Sequence, residues 1–468
     1  MAETWALPRA LMGGTRAMRA AGTTYLPQEP AESDTAYAIR KARSTLFGGY
    51  RKTVRDMVGK VFAKPIGYGK DFPSKFEPYV ENIDLAGRHL NVFAMHVFED
   101  ALQAGIGHIL VDMPPPVTRD DGQPATLADE IEAGNRPYFS HIKAEDLIGW
   151  KSETINGVET LTQVRIRECV EVEDPKNRFE KAHVDQIRVL EPGRFEIWQN
   201  DGHGKWVMVQ EGTTSLFKIT LATVYVNRTG FMLGSPPLQD LADLNVAHWQ
   251  SGSDQRNILH VARVPILFGF GIPDEAPSIQ VGASSMIRTA STEAGMMFVE
   301  HSGAAIGSGR DDLKDLEGQM QAMGLELILP KPGGQSATGE AIDQAAMHAP
   351  LAIMAGALQD ALEAAFAFMA EYDGLGEEGG GSLSVNTDFG VSMRDSADLQ
   401  TLLAARNAGM ITGATFLKEL KRRGVLADDT DLEAEVESAK DDVPLGLMAA
   451  MAEPADEDEE DDDAPPAL

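Results

Sequence analysis

The sequence predicts an α+β fold, and three observations predict it. Apolar residues recur at three- and four-residue steps through two stretches between residues 36 and 103. From Leu147 to Val226 the period drops to two, the mark of half-buried strands. Beyond residue 234 the helical period returns in long segments, with only short strand-like runs between them.

Taken in order, residues 1–32 show no clear periodicity and are expected to form a flexible N-terminal arm. Ser33-Asp34 caps a helical stretch from Ala36 to about Lys64, whose apolar stripe includes Tyr37, Tyr50, Val54 and Met57. Gly48-Gly49 can split it, and Pro65 ends it. A helix over Arg88–Gln103 follows, closed by Gly105 as a left-handed cap. Ile109–Val111 is a buried-strand candidate that stops at Asp112-Met113-Pro114-Pro115-Pro116. In the β-rich layer, Asn156-Gly157 and Asp201-Gly202-His203-Gly204 mark hairpin tips. Ser235 is the expected N-cap, with Pro236 in the first turn, of a helix reaching about His260. Its middle, Gln250–Asn257, is polar, which predicts packing against copies of itself or a span between domains.

Residues 263–310 read as short strands and glycine turns, and Asp311–Met323 as a short helix. Leu325–Ala337 is a loop, and Thr338–Tyr372 a long helix kinked at Pro350. Glu377–Gly381 is a glycine linker before a short strand, Leu383–Asn386. Helices over Ser396–Ala408 and Thr412–Arg423 end at Gly409 and Gly424. Residues 444–468 have the composition of disorder.

The chain has 468 residues, of which 43% are hydrophobic and 24% charged. This is ordinary for a globular protein and too long for one ordinary domain. A core of this size needs neither disulfides nor a structural metal. The single cysteine, Cys169, excludes an intrachain disulfide and any multi-cysteine zinc site, and reads as a small strand residue. There is no charged-then-apolar opening segment and no apolar run of about 18 residues, so neither secretion nor a membrane span is expected.

The net charge of −31 is unevenly spread. Residues 428–468 carry seventeen acids and one base, whereas residues 1–100 carry fourteen Lys/Arg and eleven acids. The pattern is an acidic tail on a milder body, and the body is not basic enough for a high-affinity DNA clamp.

A search for chemistry finds little. His89 and His96 share a helix face but lack a third ligand, so no metal site is expected. Gly269–Gly271 and Gly307–Gly309 lack the lysine and the spacing of a phosphate cradle, and no cofactor is expected. Gly307-Ser308-Gly309 before Arg310-Asp311 reads as a turn with an N-cap more readily than as an anion site. Asp112 at a strand end reads as a turn former. The 396–423 helical pair, with Lys418, Lys421, Arg422 and Arg423, has the outline of a helix-turn-helix but reads better as a helical hairpin with a solvated basic end. No catalytic residue can be assigned, which favours an assembly subunit over an enzyme. Two other readings stay open: a hydrolase or nucleotide-using enzyme engaging Arg310 or Asp311, and a DNA-binding regulator using the 396–423 pair.

Several short motifs in series resemble a phage portal protein family, over roughly residues 25–440. They include Tyr25-Leu26-Pro27, the run Asn82 to Gly87, the run Gly107 to Pro114, Arg136-Pro137-Tyr138, Ile148-Gly149-Trp150 and Arg188-Val189-Leu190. The most specific is Ser235 through Trp249, SPPLQDLADLNVAHW; Leu316 to Gly324 and Asn386-Thr387-Asp388-Phe389 follow in order. The resemblance implies a portal-like fold with a wing (33–234), a first stem helix (235–262), a clip (263–310) and a second stem helix (311–324). A tunnel loop (325–337), a long kinked wing helix (338–375), a C-terminal strand with helical crown (376–440) and a disordered acidic tail (441–468) complete it. It implies a ring of usually twelve subunits in the virion, at one capsid vertex, assembled in the host cytoplasm. Its partners would be the major capsid protein, a packaging terminase, a head–tail adaptor and transient, non-specific double-stranded DNA. On this resemblance Lys331 and Gln335 would face DNA from the tunnel loop, and Arg256 and Arg310 would face the channel from the stem.

Overall fold

The computed structural model describes residues 2–115, 117, 126, 129, 132–173, 177, 179–263, 266–270, 295–299, 304–325, 337–387, 389, 396–422, 425–426 and 430–441. The chain forms two compact units, residues 1–389 and 390–468. The first holds α1 (Ala2–Met12), α2 (Gly14–Ala21), α3 (Asp34–Arg43), α4 (Gly49–Val61), α5 (Glu77–Glu81), α6 (Leu90–Ala104), α7 (Gln239–Ala262), α8 (Ala304–Met320) and α9 (Ala337–Tyr372). The second holds α10 (Ser396–Asn407), α11 (Gly413–Arg422) and α12 (Leu432–Asp441). The strands are β1 (Gly67–Tyr68), β2 (Ile106–Asp112), β3 (Tyr138–Ile142), β4 (Leu147–Ile155), β5 (Val158–Glu173), β6 (Lys181–Glu191) and β7 (Arg194–Asn200). They continue as β8 (Trp206–Thr213), β9 (Leu221–Tyr225), β10 (Arg228–Gly230), β11 (Leu233–Gly234), β12 (Ile266–Phe270), β13 (Gly295–Val299) and β14 (Leu383–Ser384). The fold is α+β, as the change of period predicts.

The core of the first unit is an antiparallel sheet, β3-β2-β9, covered by α6 and α9. The predicted stripe of α6 is fully buried, from Phe93, Ala94, Val97 and Phe98 to Ala101 and Leu102. Three- and four-residue steps on α9 bury Leu358, Leu362, Phe366 and Met369 against it. Phe366 meets Phe139 edge-on, with ring centroids 5.1 Å apart. The stretch Pro350–Tyr372 is long and apolar enough to cross a membrane, although no such run was expected from the sequence. Its buried apolar residues are spent on this core. Gly105 ends α6 at φ +80, as predicted, and a Cβ there would stand 2.0 Å from the Ser235 carbonyl oxygen.

The β-rich layer is a five-stranded antiparallel meander, β4-β5-β6-β7-β8. Asn156 and Gly157 both have positive φ, as a two-residue turn between β4 and β5 requires. A second apolar cluster, including Leu110, Ile142, Val164 and Ile166, ties this layer to the central sheet. Arg188 on β6 adds an ion pair to Asp112 on β2 and a 2.9 Å contact to Glu168 on β5. Asp112 also accepts a 3.3 Å hydrogen bond from the Tyr138 hydroxyl. Burial, with the Asp112 charge second, pushes that hydroxyl up to about 12. Asp112 is thus a clamp between sheets rather than a turn former.

Several expectations are corrected. The N-terminal arm is folded: α1 and α2 bury Trp5, Leu11 and Met18. The Trp5 indole donates to the Ala104 carbonyl at 3.0 Å, and Arg9 reaches Asp100 at 2.6 Å and Glu145 at 2.7 Å. Pro8 and Gly13-Gly14 cut the pattern into pieces too short to hold as isolated helices, so only tertiary contacts reveal them. The helix expected at Ser235 begins at Gln239, because two successive prolines disfavour helical backbone at Ser235 and Pro236. Ser235 instead binds Asn227, accepting from its side-chain amide at 2.9 Å. Residues 304–310, expected in the 263–310 segment, are the first turns of α8, and the short helix 311–324 is correspondingly longer. Beyond the predicted pair 396–423, a further helix, α12, covers Leu432–Asp441. The expected disordered tail lies outside the described residues from 442 onward.

Candidate functional site

The surface the sequence singles out is the α7–α8 hairpin. The two helices run antiparallel. Gly252 lies opposite Leu313, His248 Nε2 is 3.3 Å from Glu317, and Gln255 donates to the Ile306 carbonyl at 2.9 Å. At Gly309 a Cβ would meet the Gln255 Oε1 at 2.2 Å, so a larger residue would have to displace the Gln255 carboxamide. The far end of the pair carries the β12–β13 ribbon, in which Phe268 pairs with Met297 and Phe270 with Gly295. Phe268, Phe270 and Met297 are exposed. At the other end, a π-helical turn, Gln321–Leu325, sets Gly324 against Thr53 and Leu241.

The polar middle of α7 has a definite use. Asn245, fully buried, accepts from the Tyr50 amide at 2.9 Å and donates to the Phe47 carbonyl at 2.9 Å. Gln250 donates to the Tyr25 carbonyl at 3.2 Å. Ser253 accepts from the Ser44 hydroxyl at 2.8 Å and lies 3.4 Å from Arg40 Nη1. Arg256 Nη1 donates to Thr45 Oγ1 at 2.8 Å and to the Arg43 carbonyl at 3.3 Å. The polar stripe therefore holds the chain's own residues 25–50, where the sequence suggested copies of the helix or a span between domains. Arg40 is itself bound by Glu32, and that hydrogen bond raises the guanidinium pKa while lowering that of the carboxyl.

Beside this seam lies a cleft of about 390 Å³, with Leu46, Phe47, Leu259 and Leu313 as apolar walls and Arg256 at its rim. His248 borders it, its ring centroid 4.9 Å from that of Phe47 and its Nδ1 buried without a hydrogen-bond partner.

Of the residues expected to face a channel, Arg256 is exposed but tied to Thr45, and Arg310 is exposed on α8. Lys331 and Gln335 lie outside the described residues. The Gly307–Gly309 run is helical, so it forms no loop around an anion; Arg310 and Asp311 follow it within the same helix. Gly269 sits in β12, and Gly271 lies outside the described residues. His89 caps α6, its Nδ1 accepting from the Asn91 amide at 3.1 Å, whereas His96 is exposed. Among the described residues no three His, Cys, Asp or Glu side chains come together in a metal-binding arrangement. In the second unit α11 packs on α12, and Lys421 donates to the Thr430 carbonyl at 2.8 Å. Lys418 is exposed, and Arg423 lies outside the described residues.

A family model described as a domain of unknown function (DUF4055) matches residues 237–373, from the start of α7 to the end of α9. No curated protein matches the sequence. Among solved structures the chain is similar to one in the neck of an empty gene transfer agent particle computed with C6 symmetry. Identity is 10%, with 81% of this chain and 90% of that one covered, at a TM-score of 0.43. A chain from the neck of the native particle computed with C12 symmetry gives 10% identity, 86% and 98% coverage, and a TM-score of 0.40. One from the virion of the native particle gives 10%, 87% and 98%, and 0.42.

Proposed function

We propose that this chain is the portal subunit of a tailed phage or phage-like particle, a non-catalytic ring that conducts double-stranded DNA through one capsid vertex. The observation that carries the reading is the α7–ribbon–α8 hairpin, seated on an α/β body and followed in sequence by α9. Its helices have the order and spacing of a stem, and its ribbon the place of a clip. The motif series from Tyr25 to Phe389 supports the same order. In this reading α7 and α8 line the ring wall, Arg310 faces the channel, Arg256 sits at the rim of the cleft beside the 44–50 loop, and Lys331 and Gln335 approach DNA from the loop before α9. An acidic chain with scattered cations suits transit, because each added phosphate contact strengthens binding and would slow the duplex. A terminase, the major capsid protein and a head–tail adaptor would dock on the ring.

Light scattering with negative-stain images of the purified chain tests this. Twelve copies of 50.5 kDa give a ring of roughly 600 kDa with a central hole. A monomer or dimer at every concentration refutes the ring.

A further inference from the structure

Two surfaces of the first unit contrast: one is an apolar cleft with an arginine at its rim, the other an apolar side chain projecting beside acids. One is the arginine-rimmed cleft beside α7. Residues 45–47 form one of its walls, within a segment, residues 36–64, that carries eight Lys/Arg and a single acid in a chain of net charge −31. Arg43 and Arg51 flank the loop that supplies Phe47, and neither forms an ion pair with a described carboxylate. Phe47 is 39% exposed over an apolar floor.

The other surface is the turn that ends α9. The Leu375 amide donates to the Ala370 carbonyl at 2.8 Å and the Gly374 amide to the Glu371 carbonyl at 3.1 Å, with Gly374 at φ +73. This is the hydrogen-bond pattern of a Schellman cap, in which the residue at the Leu375 position usually packs back on the helix. Here Leu375 is 45% exposed. It projects from a turn flanked by the exposed Glu378, by Glu377, which pairs with Lys218, and by Asp373, which pairs with Lys75 at 3.1 Å. Residues 332–393 as a whole contain nine acids and no Lys or Arg.

We propose that, in the ring of the preceding subsection, the Leu375 turn of one copy inserts into the Phe47–Leu259–Leu313 cleft of the next. Leu375 fills the apolar floor and Glu378 meets Arg256 at the rim, while Glu377 stays with Lys218. Glu317 in the cleft stays engaged with His248. The contact joins different surfaces of two identical chains, so it repeats head to tail and closes only as a ring. It also places opposite charges together where strongly acidic copies would otherwise repel.

Cysteine pairing tests the contact. In a Cys169→Ser background, since Cys169 is exposed, one chain carries Leu375→Cys and a second, differently tagged chain carries Thr45→Cys. Both positions are exposed, and circular dichroism checks the fold of each. Mixed under mild oxidation, the two chains give a heterodimeric disulfide, and neither alone gives a comparable band. In parallel, Arg256→Glu weakens self-association roughly tenfold at low salt, and Glu378→Lys restores it. Rings without the mixed disulfide overturn the contact and leave the ring reading standing. Loss of duplex DNA binding in Arg256→Glu with unchanged association also overturns it, assigning the arginines to nucleic acid. A wild-type chain that never associates overturns both.

Discussion

Replacing Asn245 by leucine removes two hydrogen bonds and leaves the groups they served without water. The Tyr50 amide belongs to the first turn of α4, where backbone donors have no partner within the helix. Its acceptor comes from α7, because Gly48 at the N-cap position offers no side chain. The Phe47 carbonyl takes the other half of the same carboxamide. Asn245 has no exposed surface, so water cannot substitute. An unsatisfied buried backbone group costs about 1–3 kcal/mol, so two cost about 2–6 kcal/mol, partly offset by the apolar leucine. The expected loss is about 3 kcal/mol, read as a shift in urea midpoint at constant m and as a fall in Tm of roughly 5 °C or more. Gln250→Ala is the contrast: its bond reaches the Tyr25 carbonyl from a partly exposed side chain, and its expected cost is below about 1 kcal/mol. A loss under about 1 kcal/mol for Asn245→Leu, or equal losses for the two variants, refutes the view that α7 anchors the 44–50 loop.

Two further outcomes follow from the core. His108 is buried and held neutral, its pKa driven down to about 3 by desolvation, while the unfolded chain takes up the proton near its ordinary value of about 6.5. The native state then binds fewer protons, so stability falls as pH drops from about 6.5 toward 3, by up to about 1.4 kcal/mol per pH unit. Urea titrations between pH 7 and 5, above most carboxylate pKa values, should show this slope, and His108→Gln should flatten it; an unchanged slope contradicts the assignment. Gly105→Ala should cost roughly 3 kcal/mol or more, because its Cβ collides with the Ser235 backbone, whereas Gly157→Ala, also at positive φ but facing open space, should cost about 1 kcal/mol. Thermal melts of the pair distinguish collision from backbone strain.

Local signals made much of this fold legible. The α6 stripe, its glycine cap and the Asn156-Gly157 turn depend on spacing within a few residues, and all three stand as expected. What escaped depends on partners distant in sequence. Trp5 is held by Ala104, and Arg9 by Asp100 and Glu145, which lie about a hundred residues away or more. The polar run in α7 announced a wet or intermolecular face, yet its hydrogen bonds run to Tyr25, Ser44, Thr45 and Phe47, some two hundred residues earlier. Glycines misled for a related reason. Gly307-Ser308-Gly309 reads as a loop from composition, while in the fold it lies inside α8, with Gly309 packed against the Gln255 side chain. The cleft was invisible because Phe47, Leu259 and Leu313 belong to three separate elements.

The bonds along α7 have a mechanical consequence. Its side chains engage the body at Phe47, Tyr50, Tyr25, Ser44, Thr45 and Arg43 along the helix. Such a helix is keyed like a splined shaft. It cannot turn about its own axis without breaking several hydrogen bonds together, at about 1 kcal/mol each. A torque applied at the β12–β13 ribbon is delivered to the whole first unit instead of being lost as a local twist.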